Sequence, residues 1–240
     1  MKMNARVSIV HRFAISCRTV LLLTAIVLAS RPAAKCQTTN GADQIIPLIQ
    51  FVDVPITTAI ENLARQSDLN YIIDPDLFPI SGNHQEPTVS FQVRDESAKS
   101  VLKRMLELRK VTMIDDPITQ VTRIAARGKV YPKVDTSLFD ASTNGSVANA
   151  DIVIPLIQFE EAPLDVALNN LIRQSGMKIE LATHNSDGSD AFNPNPILHV
   201  RWTKLTCKQA IIALCQNYKL IFVKDAKTGI LQIRALTEVK

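Results

Sequence analysis

Glycine is scarce in this chain: it accounts for 7 of the 240 residues. Phosphate-binding loops and nucleophile elbows depend on closely spaced glycines, and neither motif occurs in the sequence. The histidine-bearing helix of zinc proteases is also absent, because no two histidines have metal-ligand spacing. The sequence therefore contains no motif for phosphoryl transfer, ester hydrolysis or metal-dependent proteolysis.

A hydrophobic run long enough to cross a bilayer is lacking too. The apolar run at residues 20–29 has about ten residues, whereas a membrane-spanning helix needs roughly 20. Basic residues precede this run and small residues follow it, which is the pattern of a secretory signal peptide. We predict a signal peptide over residues 1–29, a flexible lead-in over residues 30–44, and no transmembrane segment after cleavage.

The net positive charge of the chain comes from the predicted signal peptide. The whole chain has 27 basic and 23 acidic residues, and residues 1–29 contain four of the basic residues and no acidic one. The mature chain therefore has 23 residues of each sign. Because nucleic-acid-binding surfaces are strongly basic, this balance argues against a nucleic-acid partner.

Cysteines are too few and too unevenly spaced for a disulfide framework. Cys36, Cys207 and Cys215 lie beyond the signal peptide, an odd number without paired spacing. On a helix, the eight residues from Cys207 to Cys215 rise about 12 Å, too far for a disulfide, so we interpret both as core residues. Lipid modification of Cys36 is an alternative, disfavoured because Lys35 stands where a small residue is expected.

What the sequence does contain is a long internal repeat. The hexapeptide Ile-Pro-Leu-Ile-Gln-Phe at residues 46–51 recurs unchanged at residues 154–159. Between residues 46–71 and 154–179, 13 of 26 positions are identical at a constant offset of 108. The period is longer than that of a solenoid repeat, so each unit can be a small domain with its own core.

The apolar pattern predicts the same elements in both units. Each reads strand–helix–strand, polar loop, strand–helix–strand–strand. Pro55 suits the first turn of a helix, Gly176 suits a left-handed helix end, and Thr206 with Gln209 forms a capping box. We therefore predict an α+β fold of two tandem small domains, each with two helices packed on short mixed sheets.

The two predicted domains cover residues 45–127 and 152–236, and residues 128–151 join them. The joining segment is rich in Ser, Thr, Asn and Gly, so we interpret it as a linker that packs only at Val130 and Tyr131. A linker of this composition predicts that the two domains sit at a variable angle.

This pattern resembles the secretin and TonB short N-terminal domain family. Such domains open with a short apolar strand that ends in Phe, here Phe51 and Phe159. A helix with an Ala-Leu-like pair follows, and the corresponding pairs are Ala59-Ile60 and Ala167-Leu168. A polar turn, a strand, a capped helix and a terminal hairpin complete the pattern in both units. The resemblance rests on apolar spacing and carries no catalytic signature.

The resemblance implies a periplasmic docking module. Such domains usually precede an outer-membrane secretin ring or a TonB-dependent barrel, and no run of barrel-type strands follows the second unit, so we do not expect a pore. We expect a non-enzymatic protein without cofactor or metal, with outer-membrane association left open. Its partner would be a protein of an envelope secretion, pilus or TonB-linked assembly. Sheet edges that accept a partner strand, or self-association into a ring, would provide the contact.

Other functions stay open at this point. One is a signalling adaptor between an outer-membrane receptor and a regulator. Another is a protein that binds the cell wall or a small ligand through the polar loops at residues 74–87 and 185–196. A hydrolase is disfavoured because no nucleophile–base pair can be named.

Isolated polar residues give weaker signals. His84, His184 and His199 lie in loops or on the polar side of a strand. Residues 187–190 lack the last carboxylate of a calcium loop, and the acidic pair at residues 115–116 lies at a hairpin tip. We interpret all of them as surface residues.

Several recurrent or unusual residues allow two interpretations. Gln50 and Gln158 recur, as does Arg-Gln-Ser at residues 65–67 and 173–175. A structural role is favoured, in which Gln bonds a neighbouring strand and Arg caps a helix end, and a shared contact surface is the alternative. Trp202 falls on the apolar side of its strand, so we interpret it as a core residue.

Overall fold

The computed structural model describes residues 44–78, 86–131, 134–138, 149–182, 184, 192, 195–226 and 228–236. The first repeat contains β1 (Ile45–Pro55), α1 (Ile56–Gln66), β2 (Tyr71–Ile73), β3 (Thr88–Ser97), α2 (Ala98–Glu107), β4 (Val111–Asp116) and β5 (Val121–Ala126). The second contains β6 (Val153–Pro163), α3 (Leu164–Ser175), β7 (Ile179–Leu181), β8 (Ile197–Thr206), α4 (Cys207–Asn217), β9 (Leu220–Lys224) and β10 (Leu231–Ala235). The predicted α+β fold is confirmed. None of these helices has the length and apolar character needed to cross a membrane.

Each repeat has two small sheets with the same topology. In the first, β1 and β3 form an antiparallel two-stranded ribbon, and β5 lies between parallel β2 and antiparallel β4. In the second, β6 and β8 form the ribbon, and β10 lies between parallel β7 and antiparallel β9. The internal repeat in sequence is therefore a repeat in three dimensions.

A bulge interrupts the first strand of each ribbon. Its residue with left-handed backbone is Asp53 (φ 49°) in β1 and Glu161 (φ 54°) in β6, and the register shifts there. Few residues other than glycine adopt this conformation. The N–H of Asp53 donates to Ser90 Oγ at 2.8 Å, and that hydroxyl donates back to the Asp53 carboxylate at 3.0 Å. The bulge interrupts the pairing, which resumes in a shifted register at Val54 and Ala162, so the longer regular part of each first strand lies before it.

Local capping signals set two helix ends as the sequence predicts. Thr206 and Gln209 form the capping box at the start of α4. Gly176 ends α3 with φ 67°, in the left-handed region that favours glycine. Pro55 differs from the prediction: it is the extended residue that precedes α1, and the first helical turn begins at Ile56. Its position still suits proline, because the N–H it lacks has no partner within a helix.

Each repeat has its own apolar core between its helices and sheets. In the first, the rings of Phe51 and Phe91 meet edge to face, with centroids 5.2 Å apart, beside the buried faces of α1 and α2. In the second, Cys207 and Cys215 are buried free thiols in the core cluster, which confirms them as core residues. The second core also includes Ile72 and Val121 of the first repeat.

The segment between the repeats packs in part, although at other residues than expected. Val130 is 88 % exposed, so the prediction that it packs is wrong. Tyr131 contacts Asp74 of the first repeat. Farther along, Val134 and Leu138 pack against the core of the second repeat. Both ends of this segment are thus fastened to folded elements.

Candidate interaction surfaces

Trp202 lies between the two repeats. Its side chain is fully buried on β8, which confirms the core interpretation, but its partner is in the other repeat. The indole N–H donates to the backbone carbonyl of Tyr71 at 2.7 Å. A buried indole needs an acceptor for its N–H, and β2 of the first repeat supplies it.

Asn70 makes the second contact between the repeats. Its side-chain oxygen accepts from the N–H of Thr203 at 2.7 Å, and its side-chain nitrogen donates to the carbonyl of Thr203 at 2.9 Å. One amide side chain thus satisfies both backbone groups of a residue on β8. These are the groups that a neighbouring strand would bond, so Asn70 takes the place of a strand there.

Helix α4 is buried on both sides, against its own sheet and against the first repeat. Ile212 and Ala213 on its second side belong to the apolar cluster that also contains Ile72. At its end, Asn217 donates to the carbonyl of Ile73 at 3.1 Å. All described residues of both repeats belong to one compact unit, which differs from the variable angle that the linker composition predicts.

A buried carboxylate fastens the joining segment to the first repeat. Asp74 is 1 % exposed and accepts from Lys129 Nζ at 2.7 Å and from the hydroxyl of Tyr131. Lys129 also donates to Asp76 at 2.8 Å. The guanidinium of Arg123 lies over the Tyr131 ring, 4.1 Å from its centroid. We call Asp74, Asp76, Lys129 and Tyr131 the Asp74 cluster.

The Asp74 cluster is unsuited to acid–base catalysis near neutral pH. Burial raises the pKa of Tyr131, and its hydrogen bond to Asp74 raises it further. Burial opposes the charged form of Lys129, but the hydrogen bonds to Asp74 and Asp76 raise its pKa overall. A general acid or base needs a pKa near the working pH, and both groups are shifted away from it. We therefore interpret the cluster as a structural clamp.

A groove of about 720 Å³ lies between α1 and the β6–β8 ribbon. Its walls mix acidic residues such as Glu61 and Glu160 with basic residues such as Arg65 and Arg201. His199 also lines it and is exposed, as the sequence predicts. Mixed charges give no field of one sign that would select a charged ligand. No group of three metal-binding side chains occurs among the described residues.

The outer edges of the first strands of the ribbons, β1 and β6, are open. Thr203 pairs with Leu156 of β6, and its backbone groups point the other way, toward Asn70. In an antiparallel ladder, both members of such a pair point their N–H and C=O outward. Leu48 and Arg94 form the equivalent pair in the first repeat, so their N–H and C=O groups also point outward. The outward backbone groups on the first strand of each ribbon are those of residues 46, 48 and 50 in β1 and 154, 156 and 158 in β6.

These open edges coincide with the repeated hexapeptide. Of its residues, Ile49 is buried and Phe51 packs against the core, whereas Leu48 is 47 % exposed and Gln50 is exposed. The second repeat has the same arrangement, with Leu156 44 % exposed. Core packing explains the identity at Ile49 and Phe51 but leaves the exposed Leu and Gln unexplained. Within the part of the chain described, β1 pairs only with β3, and β6 only with β8.

Contacts of the other recurrent residues divide them into two groups. Gln158 donates to Glu160 on its own strand at 2.5 Å, so it does not bond a neighbouring strand. Arg65 and Arg173 both lie in the last turn of their helices, where a positive charge suits the helix dipole. Arg173 donates to Asn170 one turn earlier at 2.9 Å, and Arg65 likewise pairs with Glu61. The recurrent serines do have a structural role, because each buried hydroxyl donates to helix-end carbonyls: Ser67 to Leu63 at 2.9 Å and Ser175 to Ile172 at 2.7 Å.

The other polar residues singled out in the sequence form no binding or catalytic site among the described residues. Asp116 accepts from the N–H of Ile118 at 2.9 Å in the turn between β4 and β5, as expected for a hairpin tip. His184 is exposed. Cys36, His84 and residues 187–190 lie outside the described residues.

Among the described residues, the outer edges of β1 and β6 are thus surfaces whose main-chain groups no other strand bonds. They can donate and accept main-chain hydrogen bonds with a strand from another protein. No protein-family model matches this chain, and no curated protein matches it.

Proposed function

We propose that this chain is an exported periplasmic protein–protein interaction module that docks to an envelope secretion, pilus or TonB-linked assembly. The docking is strand addition, in which an extended segment of the partner pairs with the outer edge of β1 or β6. Main-chain hydrogen bonds provide the affinity, and the exposed Leu48 and Leu156 contact alternate side chains of the added strand.

The observation that carries this proposal is the identity of the two open edges. Both repeats place an exposed leucine and an exposed glutamine, Leu48 with Gln50 and Leu156 with Gln158, on the straight part of an edge strand. Exposed apolar edge strands are a hazard that proteins usually blunt with lysine or proline. Pro47 does not blunt this edge, because it lies at an alternate position whose nitrogen faces β3.

Two features of the sequence support the proposed cellular location. The basic and apolar N-terminal pattern predicts export, and the resemblance of both repeats to short N-terminal domains of secretins and TonB-linked proteins favours an envelope partner. The packing of both repeats into one compact unit supports the role, since one chain then presents two edges of the same kind.

Affinity purification from crosslinked cell envelopes, followed by quantitative mass spectrometry, tests the proposal. The wild type is compared with the double variant Leu48→Lys/Leu156→Lys, which places a charge on each open edge. The matched control is Val130→Lys/Val166→Lys, which adds the same charges at exposed apolar residues away from the edges.

We expect the wild type and the control to recover a secretin, pilus or TonB-system component, and the edge variant to recover about tenfold less. Equal recovery by all three proteins would contradict docking through these edges. A wild-type preparation that contains this protein alone, at good yield, would contradict an envelope partner altogether.

A further inference from the structure

The interface between the repeats shows which surface of such a domain another chain segment can occupy. On the second repeat, residues 68–74 of the first repeat lie against β8 and α4 and bond Thr203, Trp202 and Asn217. The same surface exists on the first repeat, between β3 and α2. The paired registers place Arg94 at the position of Thr203 and Val93 at the position of Trp202.

On the first repeat this surface is a groove rather than a filled interface. Val93 is much smaller than Trp202, and a groove of about 190 Å³ lies between β3 and α2. Its apolar lining includes Val89, Phe91 and Met105. Leu108 lies at its rim and is 80 % exposed, at the helix-end position where Asn217 of the second repeat contacts β2. Leu108 and the apolar floor of the groove together form a contiguous apolar surface, the kind of surface that marks interaction sites.

The rim of this groove is basic where the second repeat is apolar. Counted from the helix starts at Ala98 and Cys207, Lys103 and Arg104 occupy the positions of Ile212 and Ala213. The two first-repeat residues are exposed, whereas their counterparts are buried. Arg104 and Arg109 line the groove; Arg104 donates to Glu96 of β3 at 2.9 Å, and Arg109 donates to the carbonyl of Thr88 at 3.2 Å. A guanidinium has five N–H donors, so each can bond a further carboxylate. A basic rim around an apolar floor favours an acidic segment with a large apolar side chain.

The segment that fills the second repeat's surface has this chemistry. Asp68 precedes its apolar residues Tyr71 and Ile72, accepts from the hydroxyl of Thr203 at 3.4 Å and lies 4.0 Å from Lys204 Nζ. The chain itself therefore shows that an extended segment with an apolar centre and an acidic residue at one end can occupy such a surface.

A second copy of this chain is a poor occupant. To dock in the same way it would present its second repeat, where Lys178 stands in place of Asn70 and Glu180 in place of Ile72. Both residues are exposed. A lysine faces the basic rim unfavourably, and a glutamate cannot fill an apolar groove. In repeat proteins, a terminal repeat with a polar outer face ends the stack. The exposed Lys178 and Glu180 give the second repeat such a face.

We propose that the groove between β3 and α2 is a docking site for another protein, which inserts an extended segment carrying a large apolar side chain flanked by aspartate or glutamate. The segment bonds the outward backbone groups of Arg94, places its apolar side chain on Val93 beside Leu108, and sets its carboxylates against Arg104 and Arg109. This inference rests on the proposed function and adds a site and a partner chemistry to it.

Site-specific photo-crosslinking in living cells, with the full chain, tests this site. A photoreactive amino acid replaces Leu108 at the groove, Leu48 at the β1 edge, or Val166 as an equally apolar exposed control. The crosslinked peptides are sequenced by mass spectrometry. We expect Leu108 to crosslink to another protein at a segment with a large apolar residue flanked by acidic residues, and Val166 to give at least about tenfold less product.

Several outcomes would overturn the proposed site. Crosslinks from Leu108 to lipid would mean that the basic rim binds a membrane, and crosslinks to a second copy of this chain would mean self-association. A protein crosslink at Leu48 with none at Leu108 would reject the groove and leave the edge-docking function standing. No protein crosslink at either position would reject both.

Two variants connect the crosslink to the groove itself. Val93→Trp fills it with the residue that the second repeat carries, and Arg104→Glu/Arg109→Glu reverses the charge of its rim. We expect each to lower the Leu108 crosslink about tenfold, while Lys224→Glu, an exposed charge reversal on β9, leaves it unchanged. Circular dichroism confirms that each variant is folded. An undiminished crosslink in both folded groove variants would refute the proposal.

Discussion

The side chain of Asn70 accepts a hydrogen bond from the N–H of Thr203 and donates one to its carbonyl. One residue of the first repeat thus occupies the outer edge of a strand in the second. The chain itself shows in this way that the ribbons bond polar groups at their edges. It also explains how the two repeats form one compact unit.

Loss of the Asn70 amide should weaken the whole chain. We expect Asn70→Ala to lower the free energy of unfolding by about 1–3 kcal/mol, because both backbone groups of Thr203 lose a partner in a half-buried site. The matched control is Lys178→Ala, the same position in the second repeat, where the side chain is exposed. It should change stability by less than about 0.5 kcal/mol. Urea denaturation measures both, and equal effects would contradict the role of Asn70.

Trp202 should report the contact between the repeats. Trp202→Phe keeps an aromatic ring but removes the N–H that bonds Tyr71, so we expect it to cost about 2 kcal/mol. Because this is the one tryptophan of the chain, its fluorescence in the wild type follows the interface directly. The fluorescence change should coincide with the loss of far-ultraviolet circular dichroism during denaturation. A separate, earlier fluorescence transition would show that the repeats come apart before they unfold.

The tyrosines should make the fold sensitive to alkali. The chain has three, and burial raises the pKa of all of them: Tyr71, Tyr131, and Tyr218, the last to about 12. The unfolded chain releases these protons at the ordinary pKa of about 10, whereas the folded chain keeps them. Above pH 10 the unfolded state therefore binds fewer protons, and the free energy of unfolding falls as pH rises.

Ultraviolet absorbance at 295 nm measures this directly. We expect tyrosinate to form only together with the loss of circular dichroism. Reversible tyrosine ionisation near pH 10 in a chain with unchanged circular dichroism would contradict the buried positions.

The two core cysteines should be unreactive in the folded chain. Both Cys207 and Cys215 are buried, and burial raises the pKa of each thiol, so little thiolate is present at pH 8. In a Cys36→Ser background, we expect a thiol reagent to label neither residue before denaturant is added and both afterwards. Fast labelling of the native chain, or a disulfide between the two, would contradict the core assignment.

The sequence predicts the architecture because local rules set it. Periodicity identifies the strands and helices, and the capping box at Thr206 and the left-handed Gly176 depend on neighbours a few residues away. The repeat then supplies an internal check, since the same element order has to fit two different sequences.

These local rules do not predict the packing between the repeats, because the residues that contact one another are far apart in sequence. Asn70 and Thr203 are 133 residues apart, and Trp202 and Tyr71 are 131 apart. A signal was nevertheless present: Ile212 and Ala213 make α4 apolar on the side that faces away from its own core. A helix that is hydrophobic all round is buried on both sides, so α4 needed a second neighbour.

Strand addition at the β1 and β6 edges is the central claim, and removal of single N–H groups tests it most directly. The affinity of the purified partner is measured for Gln50→Pro/Gln158→Pro and for Gln50→Ala/Gln158→Ala. Both variants lose the glutamine side chains, but only proline removes outward N–H groups, and an edge strand tolerates it there. We expect the alanine variant to bind within about threefold of wild type and the proline variant to bind at least about tenfold more weakly, a difference of about 1.4 kcal/mol. Equal affinities of the two folded variants would show that main-chain pairing at these edges does not hold the partner.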